Sequence, residues 1–176
     1  VLLYERVMKI TIIGAGAMGC LFGGLLSEYG MPVPLLDVRK EQVNALNKRG
    51  LIIRHQGTER VVKVRAVTDP TAISDTDLAI IFVKHAKTEA AAHTAARLLG
   101  NKGCALTLQN GMGNAEIITD VLGENRVLCG TTAQGAMGLG PGRIQHSGTG
   151  ETIIGRRGRR RDDIAAKVAE VFSAAG

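Results

Sequence analysis

Apolar residues follow two rhythms along this chain. Short apolar or β-branched runs alternate with longer stretches in which apolar residues recur at helical spacing. The runs at Lys9–Ile13, Val33–Leu36, Leu78–Val83, Cys104–Leu108 and Arg126–Gly130 predict strands of a buried parallel sheet. Between and after them, Cys20–Tyr29, Lys40–Arg49, Thr88–Leu99, Ala115–Leu122 and Ile164–Ala174 predict helices. Val43 and Leu46 face inward on the second helix, Gly30 and Gly50 are helix stops, and Asp162 and Asp163 cap the last helix. Leu51–His55 and Arg60–Val67 flank Gln56-Gly57-Thr58-Glu59, which predicts a hairpin, and Thr68-Asp69-Pro70 a turn. Thr131–Gly142 is a glycine-rich connection. Arg143–His146 and Glu151–Ile154 predict an antiparallel pair around Ser147-Gly148-Thr149-Gly150. Strands alternating with helices imply βαβ units: an α/β, doubly wound, mostly parallel sheet with an antiparallel tail. No repeat or linker interrupts it. The predicted division is an N-terminal extension over 1–7, since Met8 at the head of the first strand is a natural initiator, and one domain over 8–176.

The first strand leads into Gly14-Ala15-Gly16-Ala17-Met18-Gly19, a G-x-G-x-x-G turn, and the turn into a helix. Each glycine has a mechanical reason: Gly14 for the tight turn, Gly16 for backbone approach to a pyrophosphate, and Gly19 for close helix–strand packing. The helix N-terminus adds free N–H groups and the positive end of its dipole. Strand, turn, helix and a second strand ending in an acid make this a dinucleotide-binding unit of Rossmann type. Asp37 lies 18 residues after Gly19, where an acid commonly bonds the adenosine ribose of NAD. Arg39 and Lys40 follow it and suit the 2′-phosphate of NADP instead, so both cofactors stay open. Ligands of such sheets bind beyond the carboxyl ends of the strands. Lys84 and Asn110 fall at two further strand ends and converge on the same rim. His85, His93 and His146 have no partner at triad or metal spacing and read as surface or packing residues.

Composition narrows the class. Hydrophobic residues make up 45% of the 176 residues and charged residues 22%. That is an aliphatic globular chain, with no apolar run near the roughly 20 residues of a membrane span and no signal-peptide pattern. It reads as a cytoplasmic protein that uses neither membrane nor metal. Cys20, Cys104 and Cys129 lie in or beside apolar segments and read as buried reduced thiols. The net charge of +6 owes most to five arginines within 156–161, read as a solvated loop; with no aromatic platforms beside them, nucleic acid is not an expected partner.

MKITIIGAGAMG, then VKHAKT at 83–88, LQNGMGN at 108–114 and GTTAQGAMGLGPGRIQHSGTGETIIG at 130–155 together resemble ketopantoate reductases (2-dehydropantoate 2-reductases), in order and spacing across nearly the whole chain from Met8. The resemblance implies NADPH-dependent reduction of ketopantoate to pantoate, on the route to pantothenate and coenzyme A. It implies that Gly14, Ala15, Gly16, Ala17, Met18 and Gly19 bind the cofactor pyrophosphate. Lys84 and Asn110 would stand beside nicotinamide and substrate as auxiliary catalytic residues, and Ala136 would contact the cofactor through its backbone. The family's general-acid lysine belongs to an all-helical second domain expected beyond Gly176. Asp37-Val38-Arg39 departs from the family habit of an arginine directly after the second strand, which keeps NAD open beside NADP. The expected partner is a small 2-oxo-acid substrate, with room for a homodimer. Two alternatives remain: another 2-oxo-acid or β-hydroxyacid dehydrogenase, and a dinucleotide-binding module without chemistry of its own.

Overall fold

The structure, a computed structural model, describes residues 8–159 and 161–176. The proposed extension over 1–7 lies outside them. A seven-stranded sheet carries the order β11-β8-β7-β6-β1-β2-β5, with β1 Ile10–Ile13, β2 Pro34–Leu36, β5 Arg65–Val67, β6 Leu78–Ile81, β7 Cys104–Thr107, β8 Val127–Thr132 and β11 Thr152–Gly155. All neighbours are parallel except β11, which runs antiparallel to β8 from Thr152↔Thr132 to Gly155↔Cys129. The predicted doubly wound sheet and its antiparallel edge are therefore present.

Alternation along each strand explains why the runs are almost wholly apolar, the buried exceptions Thr11 and Thr107 each bonding its hydroxyl to another side chain. Ile10 and Ile12 of β1, Leu78 and Ile80 of β6, and Leu106 of β7 enter one core. Ile13, Ala79, Ile81 and Ala105 enter the other, under α3 Thr88–Leu99 and α4 Asn114–Leu122. A strand covered on both faces has no solvent side on which to place a polar residue.

A second sheet, absent from the sequence reading, has the order β4-β3-β10-β9, with β3 Leu51–His55, β4 Thr58–Val62, β9 Gly135–Gly140 and β10 Arg143–Gly148. Two hairpins build it, joined by parallel pairing of β10 with β3. This corrects three expectations. Arg60–Val67 is not one strand: Val62 pairs with Leu51 in the second sheet, while Arg65 pairs with Pro34 in the first. The glycine-rich stretch after β8 contains β9. Residues 143–146 and 151–154 do not pair with each other, because the Ser147–Gly150 segment carries the chain between sheets rather than turning a hairpin.

Helix α1, Ala17–Glu28, lies between the two sheets and touches strands of both. Two adjacent glycines make the sandwich possible: a Cβ on Gly23 would lie 2.4 Å from Leu35 Cδ2 on one side, and one on Gly24 2.8 Å from Ile53 Cδ1 on the other. The chain's three phenylalanines meet around α1, with Phe22 5.1 Å from Phe82 and 5.3 Å from Phe172 of the last helix, α5 Asp163–Ala175. Helix α2 is Lys40–Arg49 and buries Val43 and Leu46 as expected, together with Gln42.

The arginine run is also corrected. Arg156 is buried, donates to the carbonyls of Asn125 and Val127, and pairs with Asp162. Asp162 in turn caps α5 by accepting from the Ile164 and Ala165 N–H groups. Pairing and capping hold its carboxyl below the ordinary value, the arginine being the largest cause. One buried anchor and exposed neighbours such as Arg157 thus replace the solvated loop; Arg160 lies outside the described residues. Among the described residues no helix is long and apolar enough to cross a membrane, and no cluster of three or more His, Cys, Asp or Glu could hold a metal.

Candidate functional site

Sheet order decides where a site can lie. From β1 the chain moves outward to β2 and β5, then returns to place β6 on the other side of β1. Strand order reverses there, and open α/β sheets bind ligands at that crevice, beyond the strand ends. The G-x-G-x-x-G turn follows β1 and Lys84 follows β6, so both flank the switch point.

The three glycines of the turn are distinguishable. Gly14 has φ +102°, and a Cβ there would lie 2.7 Å from the Phe82 carbonyl oxygen. A Cβ on Gly19 would lie 1.9 Å from the Gly14 carbonyl oxygen. The fold requires both glycines. Gly16 has φ −73° and a Cβ there would meet nothing within 4 Å. Neither backbone conformation nor packing asks for glycine at that position, and the space before it is open to a ligand that hugs the main chain. Gly16 is the N-cap of α1, whose first turn has neither a side-chain cap nor an acidic residue, so its N–H groups face that space without competition.

Both main-chain polar groups of Ala15 are held. Its N–H donates to Asp37 Oδ2 at 2.8 Å; its carbonyl accepts from Gln42 Nε2 at 2.8 Å, Arg39 Nη2 at 3.2 Å and Cys20 Sγ at 3.4 Å. Asp37 also receives the Arg39 N–H, Nε and Nη2, each at 2.9 Å, which gives two donors to each carboxylate oxygen. Burial alone would push the Asp37 carboxyl up, but the guanidinium and the backbone donors outweigh it and hold it below its ordinary value. The Asp37 side chain is 7% exposed and that of Arg39 58%. The acid therefore faces the loop, and the guanidinium faces outward. Gln42 links this loop to the second sheet by accepting the Gly142 N–H at 3.0 Å. Cys20 is buried, and burial pushes its thiol up to about 12, so it is an inert donor rather than a nucleophile.

Beyond β6 and β7 the rim opens into a cleft of about 300 Å³, lined among others by Met18, Phe82, Lys84, Asn110, Thr132 and Gln134. Met18 belongs to the glycine turn, so the predicted convergence of that turn, Lys84 and Asn110 is present. Neutral side chains hold the two far loops together. Gln109 Nε2 donates to the Val83 carbonyl at 2.6 Å and to Thr88 Oγ1 at 3.1 Å, while its Oε1 accepts from Thr107 Oγ1. Asn114 bonds His85, Thr88 and the Asn110 carbonyl.

Ala136 lies on β9 opposite His146 and packs against the core; in that segment Gln134, two residues earlier, lines the cleft. His146 is buried 4.7 Å from the tilted His55 ring but has a partner, its Nε2 lying 2.8 Å from Gln134 Oε1; burial, then the neighbouring imidazole, pulls its pKa down. His85 is exposed as expected but has a partner in Asn114. His93 is exposed. Cys104 is a buried free thiol, whereas Cys129 is only half-buried. The sequence reading missed Gln42, Gln109, Asn114, Thr132 and Gln134. Gln42 carried a usable signal: it is polar, yet it stands on the inward stripe of α2 with Val43 and Leu46.

Comparison with known proteins bears on the family and the fold. The model of the ketopantoate reductase family PanE/ApbA matches residues 10–159. A 2-dehydropantoate 2-reductase of Halobacterium salinarum is 38% identical over 173 residues, covering 96% of this chain and 56% of the relative. The structure of a PanE/ApbA family ketopantoate reductase from Ralstonia eutropha JMP134 superposes with a TM-score of 0.84 at 35% identity, over 96% of this chain and 54% of that one. A ternary structure of D-mandelate dehydrogenase with NADH and anilino(oxo)acetate superposes at 0.88 and 31% identity, over 96% and 55%. The chain spans about half the length of the curated relatives it matches.

Proposed function

Because the chain belongs to the ketopantoate reductase family, we propose that it is the dinucleotide-binding domain, residues 8–176, of an NADPH-dependent 2-dehydropantoate 2-reductase that reduces ketopantoate to pantoate for pantothenate and coenzyme A synthesis in the cytoplasm. One observation carries the cofactor half of this reading: Asp37 is turned inward and saturated by four donors, while Arg39, anchored on it, presents its guanidinium outward. A buried, saturated carboxylate is a poor acceptor for the ribose hydroxyls of NAD. A fixed, exposed guanidinium suits the 2′-phosphate of NADP.

The chain's residues then divide the work. The open face at Gly16 and the first-turn N–H groups of α1 take the pyrophosphate. When bound, the reduced nicotinamide supplies a hydride to the carbonyl carbon of the 2-oxo acid. Lys84 offers a cation and Asn110 a carboxamide to the oxygens at that end of the cleft, which orients the acid and favours charge developing on the carbonyl oxygen. The proton that completes the alcohol comes from a lysine in the half of the relatives' length that this chain does not span.

The test is a fluorescence titration of this chain with NADPH and, separately, NADH. Tighter NADPH binding is the expected result; preference for NADH would remove the 2′-phosphate from Arg39, and binding of neither would sink the dinucleotide reading. The likeness to D-mandelate dehydrogenase with NADH favours one second reading, a dehydrogenase of other 2-oxo acids. Turnover of aromatic 2-oxo acids but not of ketopantoate by a full-length protein containing this domain would select it.

A further inference from the structure

Lys84 and Asn110 reach the cleft from loops that belong to different βαβ crossovers, and no backbone ladder joins those loops. Two side chains do: Gln109, through the Val83 carbonyl and Thr88, and Asn114, which reaches His85 and Thr88 on one loop and the Asn110 carbonyl on the other. Asn114, the first residue of α4, is 2% exposed and bonded on both sides. Its Nδ2 donates to the carbonyls of Asn110 at 3.1 Å and Gly111 at 3.4 Å. Its Oδ1 accepts from Thr88 Oγ1 at 3.0 Å and lies 2.9 Å from His85 Nδ1. The two carbonyl acceptors leave only one orientation of the amide, so the oxygen faces His85 and the imidazole must donate from Nδ1. Gly113, directly before Asn114, has φ +90°, a left-handed conformation that favours glycine.

We propose that Asn114 is a positioning residue for the nicotinamide end of the cofactor, a carboxamide staple that sets the spacing between Lys84 and Asn110 before any ligand arrives. The inference rests on the dinucleotide reading above. The bonds lie on residues adjacent to the two candidates: His85 follows Lys84 directly, and Asn110 is held through its own carbonyl. Gln109 braces the other flank of Lys84 through the Val83 carbonyl, so the lysine sits between two tied neighbours. A carboxamide can do this where a charged pair could not, because it donates to one loop and accepts from the other without adding charge beside the Lys84 ammonium. With the staple intact, the cofactor meets a preset half-site and loses less freedom on binding. With it cut, only Gln109 still ties the two loops, and the ligand must supply the rest of the ordering of Lys84 and Asn110.

The experiment compares two ligands on the wild-type chain and on Asn114→Leu: NADPH, which spans both halves of the cleft, and 2′,5′-ADP, which reaches only the Arg39 half. The expected result is NADPH binding weakened about 5- to 10-fold, the scale of one or two neutral hydrogen bonds, with 2′,5′-ADP unchanged. Equal losses for both ligands would assign Asn114 a merely structural role and overturn the proposal, as would no loss for either. If the wild type bound neither, the dinucleotide reading itself would fail and take this inference with it. Asn114→Ser serves if the leucine variant does not fold: its shorter neutral side chain gives up the reach between the two loops without adding charge beside Lys84, and the same selective loss for NADPH is expected. A ¹⁵N spectrum supplies a readout that stability alone does not move. Neutral His85 should carry its proton on Nδ1 in the wild type and lose that bias in Asn114→Leu; an Nε2–H ring in the wild type would overturn the staple geometry.

Discussion

The two ends of the cleft are built with opposite materials. At the glycine turn, a buried carboxylate, its half-exposed guanidinium partner and a glutamine fix both main-chain groups of Ala15: Asp37 accepts its N–H, and Arg39 and Gln42 donate to its carbonyl. At the far end, Gln109, Thr88 and Asn114 hold Lys84 and Asn110 through neutral carboxamide and hydroxyl bonds. The difference follows from what each end must present. The first end offers an exposed guanidinium and bare N–H groups, and a carboxylate behind them fixes the guanidinium without reaching the ligand space. The second already holds one ammonium, and any further charge in its scaffold would compete with the ligand for it. Removing Asp37 should therefore cost more than removing a neutral partner, because its buried carboxylate accepts four hydrogen bonds, three of them from Arg39 and one from the Ala15 N–H.

The largest effect is expected at Gly16, which belongs to neither scaffold. Gly16→Val adds a side chain to space the fold leaves empty, so thermal stability should barely change while affinity for NADPH falls by two orders of magnitude or more, about 3 kcal/mol or above. An unfolded variant, or one with unchanged affinity, would remove the pyrophosphate from this turn. Next comes Asp37→Ala, which leaves the Ala15 N–H without its acceptor and the half-exposed Arg39 guanidinium with only the Ala15 carbonyl. Calorimetry should report a loss of about 2–4 kcal/mol, with both NADPH and NADH binding weakened, because the loop and not a ribose contact has been lost. A loss confined to NADH would restore Asp37 as a ribose ligand.

Arg39→Leu is expected to weaken NADPH about 10- to 100-fold, as for a lost charge-assisted contact of about 1.5–3 kcal/mol, and to leave NADH nearly unchanged. Parallel titrations decide it. The smallest mutational effect belongs to the neutral end. Thr88→Val keeps the shape of a buried residue and removes one hydroxyl, while Gln109 retains the Val83 carbonyl and Asn114 retains His85. A stability loss of about 1 kcal/mol and a change in NADPH affinity of about threefold or less are expected. Acid separates the two ends without a mutation. The folded Asp37 carboxyl titrates below its unfolded value of about 3.9, so its contribution is complete above that value and is lost as pH falls through the lower, folded one. Loop anchoring should thus hold across the neutral range and fail only in strong acid. Loss of Ala15 amide protection near pH 6 by hydrogen exchange would contradict the pairing.

Much of this arrangement was legible in the chain. The doubly covered strands announce themselves because a strand buried on both faces must be almost wholly apolar, and the glycine turn because strand, turn and helix occur together. Lys84 and Asn110 were legible for the same reason: each ends an apolar run in a sheet whose strand ends share one rim. The Arg39 and Asp37 pair was visible as two neighbours with competing meanings. Which one faced outward was not, since that depends on the Ala15 N–H, twenty-two residues away. Arg156 looked solvated for a related reason. Its partners are the Asn125 and Val127 carbonyls and Asp162, and an arginine becomes buried only where such acceptors assemble.

The sequence by itself determined the local grammar of this protein: the five helices and the central parallel strands, where the backbone must turn tightly, and which polar residues stand at strand ends. Hydrophobic period and glycine sterics act within a few residues and can be read without a partner. Only the tertiary structure decided how those elements were distributed. It sent Thr58–Val62 and Arg65–Val67 to different sheets, turned Asp37 inward and Arg39 outward, and joined the Lys84 and Asn110 loops through Asn114. Strand pairing and buried hydrogen bonds are chosen among groups distant in the chain, and their free energy depends on burial that exists only once the chain has folded.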